Sequence, residues 1–255
     1  MTAKRARCGG WTVGRWQNKY VIGLTGNIAM GKSLVLQMLQ HLGAYTIDAD
    51  GLAHQVMAPN APAYKPVIEM FGRFVVNPQG QIDRNRLGAV VFSHPEALQA
   101  LEAMTHPIIS AAIDTLISRA KHQVVVVEAI KLLEGKLADG VDAIWVVDSS
   151  AEKQLERLIT KRKLPREEAL KRINVQNPQG EKLARADVVI RNDGKPEETW
   201  AQVQRAWQNI AQSKRDDEQA QAVTTVKSWR LPPAAPRGTH PAPRSRCAPT
   251  RFRRD

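Results

Sequence analysis

The sequence predicts an α/β fold built on an open parallel sheet, and three observations carry that prediction. The stretch YVIGLTGNIAMGKS, Tyr20 to Ser33, sets a short apolar run before Gly26-x-x-x-x-Gly31-Lys32-Ser33. A helix-like pattern then follows, with Leu34, Val35, Met38, Leu39 and Leu42 at three- and four-residue steps. Further on, QVVVVE (123–128) places four valines in a row, as suits a strand buried on both faces of a parallel sheet.

Strand, glycine loop and helix together form the context of a phosphate-binding loop. Gly26 and Gly31 permit backbone angles that turn successive N–H groups inward. The helix N-terminus adds partial positive charge. Lys32 offers an ammonium to the β- and γ-phosphates, and the Ser33 hydroxyl is placed to hold Mg²⁺.

The next strand is expected at Ala44–Ile47, delivering Asp48 and Asp50 at its carboxyl end, where open parallel sheets place ligands. One carboxylate can take a hydroxyl proton, and the other can cap the following helix. Asp48 is assigned the cap and Asp50 the chemistry. Residues 57–122 are expected to form an inserted helical lobe, with helices at Leu98–Met104 and Ile108–Ile117 broken by Thr105-His106-Pro107. His106 reads either as a turn residue or as a ligand, and Arg84 and Arg86 either as phosphate contacts or as a solvated face. Glu128 ends the valine strand, where an acid helps to order Mg²⁺ or serves structure alone.

DAIWVVD (142–148) predicts another buried strand. Two charged helices, 151–163 and 166 to about 174, read as a mobile lid or as solvated faces braced by ion pairs. A last strand is expected at Ala186–Ile190, then a turn through Asn192 and Gly194, then a helix with Trp200, Val203, Trp207 and Ile210 on one stripe.

The chain has 255 residues and a net charge of +12. The charge lies in the ends: residues 1–18 hold four basic and no acidic side chains, and residues 228–255 hold seven arginines and one aspartate. The core is near neutral, which argues against nucleic acid as its partner. Both cysteines, Cys8 and Cys247, fall in those ends, so neither a disulfide framework nor a cysteine zinc site is expected in the core. No apolar run approaches the ~20 residues that a membrane helix needs. The expected division is a disordered extension at 1–18, a folded unit at 19–212 and a disordered basic, proline-rich tail at 213–255. A cytoplasmic monomer is expected, without membrane or nucleic-acid partners.

With these segments in order, the chain resembles the dephospho-CoA kinase family over roughly Tyr20 to Ile210. The resemblance is carried by GLTGNIAMGKS, TIDADGLAHQVM, THPII, VEAIKLLEG, LERLITKR and VQNPQGEKLARADVVIRNDG. It implies a P-loop kinase three-layer fold: a five-stranded parallel sheet in order 2-3-1-4-5, a helical CoA-binding lobe (57–122) and a helical lid (151–184). It implies ATP-dependent phosphorylation of the ribose 3′-hydroxyl of dephospho-CoA, with Mg²⁺, giving coenzyme A and ADP. Gly26, Ala29, Met30, Gly31, Lys32, Ser33 and Leu34 would then hold phosphates, Ser33 the metal, and Asp50 would be the base. Asp50, His106 and Glu128 would face the acceptor, Arg157 and Gln176 belong to the lid, and Asn192 and Gly194 lie by the adenine. The chain departs from the family's habits at Ala29 and Met30, where Gly and Ser are usual, and at Leu34, where Thr is usual. It departs again at Ile130-Lys131 in place of Pro-Leu, and at Lys161 in place of an arginine. Two other readings stay open, a kinase for another small metabolite and a non-catalytic nucleotide switch or nucleic-acid-binding protein. No Asn-Lys-x-Asp motif supports a guanine switch.

Overall fold

Each strand expected from an apolar run forms, within one or two residues of its expected ends. The computed structural model describes residues 15–210, apart from residues 17 and 136. The expected tail at 213–255 and most of the expected extension at 1–18 lie outside the described residues. The strands are β1 (Tyr20–Thr25), β2 (Tyr45–Asp48), β3 (Val124–Glu128), β4 (Ala143–Asp148) and β5 (Val188–Arg191). They form one parallel sheet in the order β2-β3-β1-β4-β5.

Alternation along the strands divides the core into two layers. Val21, Val125, Val127, Ile144 and Val146 face one layer. Ile22, Leu24, Val126, Trp145 and Val147 face the other. Val125, Val126 and Val127 are fully buried. Each is worth about 1.5–3 kcal/mol by burial, which outweighs the ~1 kcal/mol span of intrinsic strand preference.

Helix α1 (Lys32–His41) and the helix α10 at residues 196–210 cover the Ile22 side. On the other side α5 (Pro95–Arg119) supplies Ile113 and Ile117. Between β2 and β3 lie α2 (Ala49–Gln55), α3 (Tyr64–Phe71), α4 (Arg84–Ser93) and α5. Val67, Val75, Leu87 and Val91 give this lobe a small core of its own. After β3 come α6 (Leu137–Gly140) and β4, then the lid helices α7 (Ala151–Thr160), α8 (Arg166–Asn174) and α9 (Gln179–Ala184).

Two expectations are corrected. The break at Thr105-His106-Pro107 does not occur, because α5 runs for 25 residues with Pro107 inside it. A proline inside a helix costs about 3 kcal/mol. The helix is clamped at both ends: Leu98, Leu101 and Met104 pack on the lobe core, and Ile109, Ile113 and Ile117 pack on the sheet. Several buried side chains outweigh one lost hydrogen bond. Ala103, whose carbonyl loses its donor to the proline ring, is exposed to solvent.

The folded unit also begins earlier than residue 19. Trp16 is buried in the sheet core, and its indole Nε1 donates to Asp114 Oδ1 at 3.0 Å. Arg15 pairs with the same carboxylate. A composition-based boundary missed these two residues because they contact α5, about a hundred residues away in sequence. Trp16→Phe removes the donor and with it the pyrrole half of the buried indole. It is expected to cost at least about 1 kcal/mol and to lower the unfolding temperature by at least about 2–4 °C in a calorimetric scan. An unchanged transition would show that the hydrogen bond contributes nothing.

Candidate active site

The site is built at the carboxyl end of β1, the central strand, where the order of the sheet reverses. Gly26 leaves β1 with φ +149, and a Cβ there would stand 2.5 Å from the Val147 carbonyl oxygen. Ala29 holds φ 60, a left-handed angle that costs a non-glycine residue about 1–2 kcal/mol. Met30 is buried in the core layer with Ile22 and Leu24 and also lines the cleft beside the loop. Gly31 holds φ +101, and a Cβ on it would lie 1.9 Å from Asn192 Nδ2. Helix α1 starts at the next residue, Lys32.

Lys32 is 8% exposed. Its Nζ donates to the Gly26 carbonyl at 3.0 Å and lies 3.8 Å from Glu128 Oε1. Burial lowers the lysine pKa from its ordinary value, Glu128 and Asp50 oppose that shift, and Arg162 adds to it. Burial likewise raises the Glu128 pKa, opposed by Lys32 and reinforced by Asp48 and Asp50. Lys32, Glu128, Asp48, Asp50 and Arg162 therefore share one electrostatic neighbourhood. Ser33 is exposed at the first turn of α1, and Leu34 is half-buried against the core.

The two aspartates take different places at the start of α2. Asp48 caps α2, accepting from the Gly51 N–H at 2.8 Å. Asp50 sits in the first turn of α2 and accepts from the Ile130 N–H at 3.1 Å. Register places Asp48 beside Glu128 across β2 and β3, and Glu128 beside Leu24 across β3 and β1. All three acids thus meet at one end of the sheet.

The lid closes against the loop through amides. Gln176 Oε1 accepts from the Ile28 N–H at 2.7 Å, and Gln179 Oε1 from the Asn27 N–H at 3.2 Å. Gln179 also donates to the Val147 carbonyl and to Asp148. Arg157 was expected as a lid cation. Its guanidinium is engaged by the carbonyls of Ala29, Met30 and Asn192 and by the Ser149 hydroxyl, so it braces the loop from behind. Asn192 is buried, donates to the Met30 carbonyl at 3.0 Å and accepts from Thr199 at 3.1 Å. Gly194 is exposed just before α10. A cleft of about 470 Å³ runs between loop and lid, lined in part by Asn27, Met30, Ser149, Gln154 and Gln176.

Other candidates separate. His106 is exposed on α5, one turn from Glu102, which pairs with Lys131 at 3.6 Å. Arg86 is committed to the Phe74 carbonyl and to Asp83. Arg84 instead lines a second cleft of about 180 Å³ with His54, Met57 and Gln81. Sequence reasoning passed over Gln179 and Lys182 as individuals. The only signal was a dense polar run, QNPQGEK, without helical periodicity.

Asp193 accepts from the Ser150 N–H and the Ser149 hydroxyl, and the Ser150 bond first among these holds its carboxyl below the usual range. That stabilisation is present above the unfolded pKa, about 3.9, and is lost as pH falls through the lower folded value. Asp193→Asn is therefore expected to narrow its stability deficit against the wild type as urea melts move from about pH 6 to about pH 3. A deficit independent of pH would contradict the assignment.

A family model described as Dephospho-CoA kinase matches residues 20–198. The dephospho-CoA kinase of Carboxydothermus hydrogenoformans is 43% identical over 186 residues, covering 72% of this chain and 90% of that protein. The chain belongs to the dephospho-CoA kinase family. The dephospho-CoA kinase of Geobacter sulfurreducens is 40% identical over 190 residues, covering 73% of this chain and 96% of its own length. Among solved structures, TT1252 from Thermus thermophilus superposes with a TM-score of 0.69 at 31% identity, covering 75% of this chain and 97% of that one. The dephospho-CoA kinase from Campylobacter jejuni gives 0.50 at 29%, covering 76% and 98%. Membership agrees with the sheet order, with the P-loop kinase fold and with the placing of the loop. No described helix is long and apolar enough to cross a membrane.

Proposed function

We propose that this chain transfers the γ-phosphoryl group of ATP to the ribose 3′-hydroxyl of dephospho-CoA, giving coenzyme A and ADP as the last step of coenzyme A synthesis. The observation that carries the reading is Lys32 at the foot of the glycine loop, 3.8 Å from Glu128, with Asp48 paired to Glu128 across the sheet and Asp50 held by the Ile130 N–H just beyond that strand. Backbone N–H groups of the loop cradle the phosphates, those of Asn27 and Ile28 exchanging Gln179 and Gln176 for phosphate oxygens, and Gly26, Ala29, Met30 and Gly31 shape that cradle. Leu34 closes the first turn of α1, its N–H donating to the Gly31 carbonyl. Lys32 balances charge on the β- and γ-phosphates, and Arg162, exposed and within electrostatic reach of Lys32, adds a second cation from the lid. Arg157 and Asn192 serve the nucleotide by holding the loop carbonyls, and Gly194, whose Cβ position is taken by the Glu198 carboxylate, shapes the turn beside the adenine.

Asp50 takes the proton of the 3′-hydroxyl as the oxygen attacks in line. Its carboxylate is oriented by the Ile130 N–H. Glu128 lies on the acceptor side, whereas His106 is exposed on α5, one turn from Glu102 and its partner Lys131. Magnesium, when bound, would offset negative charge on the transferring phosphates. The donors fit it: Ser33 and Glu128 offer hard oxygens at the cradle, and Mg²⁺ takes one or two protein ligands beside phosphates and water. Among the described residues no cluster of three His, Cys, Asp or Glu side chains is arranged for a metal, in keeping with so few protein ligands.

The test is ADP release with ATP and Mg²⁺, comparing dephospho-CoA with a panel of nucleoside monophosphates. Turnover with dephospho-CoA alone, yielding a 3′-phosphorylated product, supports the proposal. Turnover with a monophosphate moves the chain to another acceptor.

A further inference from the structure

Lys182 is a buried cation that the mechanism above leaves unused. It lies on α9 and is 5% exposed. Its Nζ donates to Asn27 Oδ1 at 2.8 Å and to the Ile130 carbonyl at 3.0 Å. The two acceptors belong to different halves of the site. Asn27 follows Gly26 in the phosphate loop, and its own N–H is held by Gln179 from the same helix. Ile130 follows the valine strand, and its N–H meets Asp50. The Ile130 carbonyl also accepts from Thr25, the last residue of β1, at 3.1 Å. One ammonium thus ties α9, the loop and the peptide under Asp50 into a single cluster.

Packing alone gives no reason for a charge here. A buried ammonium is costly unless hydrogen-bonded, and Lys32, of like charge, lies close enough to add to the cost. An apolar side chain would hold α9 to the loop without that penalty. The directional hydrogen bonds to two separate acceptors are what the lysine adds.

We propose that Lys182 is a positioning residue for phosphoryl transfer, locking Asn27 and the Ile130 peptide in one register so that the donor phosphate and Asp50 stay aligned. The inference rests on the reading of Asp50 as the base.

The experiment uses the full chain and four variants: Lys182→Met, Lys182→Arg, Asp50→Asn and the double variant Asp50→Asn/Lys182→Met. Turnover is measured with ATP and dephospho-CoA, and ATP affinity by calorimetric titration. Misplacement of reacting groups by about 1 Å costs about 10²-fold, so Lys182→Met is expected to lower kcat by about that factor. ATP affinity is expected within about threefold of wild type, and Lys182→Arg is expected to recover at least about tenfold of the loss. The double variant is expected within about threefold of Asp50→Asn alone, because residues acting as a unit are not additive. A fall confined to KM or to ATP affinity overturns the inference, as do losses that multiply in the double variant while Asp50→Asn is itself impaired. Full turnover in Asp50→Asn overturns the reading of Asp50 and the inference with it. If Lys182→Met fails to fold, Lys182→Gln, which keeps a donor and drops the charge, takes its place with the same expectations and the same overturning results.

Discussion

Asp50→Asn is expected to lower turnover by about 10²–10⁴-fold, the range that a positioned general base supplies, while ATP affinity changes little. The amide oxygen can still accept the Ile130 N–H, so the side chain keeps its anchor and loses only its capacity to take a proton. Asp48 cannot substitute. Its Oδ1 accepts from the Gly51 N–H as the cap of α2, three residues beyond the end of β2. Steady-state rates with saturating ATP and dephospho-CoA, set beside calorimetric ATP titration, make the measurement. Turnover equal to wild type would remove Asp50 from the role, and equal loss of ATP affinity would make it a nucleotide ligand instead.

Gly31→Ala is expected to disable both the loop and its support. The residue sits at φ +101, and the new methyl would lie 1.9 Å from Asn192 Nδ2. Backbone strain of this kind costs about 1–3 kcal/mol. Displacing a buried amide from its partners adds about 1–3 kcal/mol. Asn192 has nowhere to retreat, being pinned to the Met30 carbonyl and Thr199 with its own carbonyl engaged by Arg157. Together these terms lower the unfolding temperature by roughly 5–20 °C for a chain of this size. ATP affinity is expected to fall at least about tenfold, since the N–H groups that aim at the phosphates shift with the peptide. Gly43 makes a control: it has φ +97 but nothing within 4 Å of an added Cβ, so Gly43→Ala carries strain alone. Equal melting temperatures for the two variants would show that the Asn192 approach is not what demands glycine at position 31.

The sheet and the loop were legible because their signals are local. Four consecutive valines, the apolar run from Tyr20 to Leu24 before a glycine loop, and the capping Asp48 at a strand end can each be read within a few residues. The parts that were not legible depend on distant partners. Pro107 reads as a breaker until the cores on both sides of α5 are known. Trp16 reads as part of a basic arm until Asp114 is placed beside it. Arg157 carries the charge expected of a lid, yet its guanidinium is satisfied by main-chain carbonyls, which leave no trace in sequence. Gln179 and Lys182 are hidden for the same reason. The departures at Ala29 and Met30 also find a physical account: one tolerates a left-handed angle at modest cost, and the other is buried in the core layer beside the cleft.

The position of β1 has a consequence for the order in which the chain is assembled. Among the described strands it is the first to be synthesised, yet it lies in the middle of the sheet, with Tyr20 paired to Val124 and Ile22 to Ala143. At a synthesis rate of about 5–20 residues per second, β1 waits roughly 5–20 s for its first neighbour. Throughout that interval an apolar segment with open hydrogen-bonding groups on both edges is offered to solvent and to other nascent chains. The strand that carries the phosphate loop is therefore the one most dependent on protection during translation, and substitutions that weaken β3 or β4 would be felt first as lost yield of folded protein.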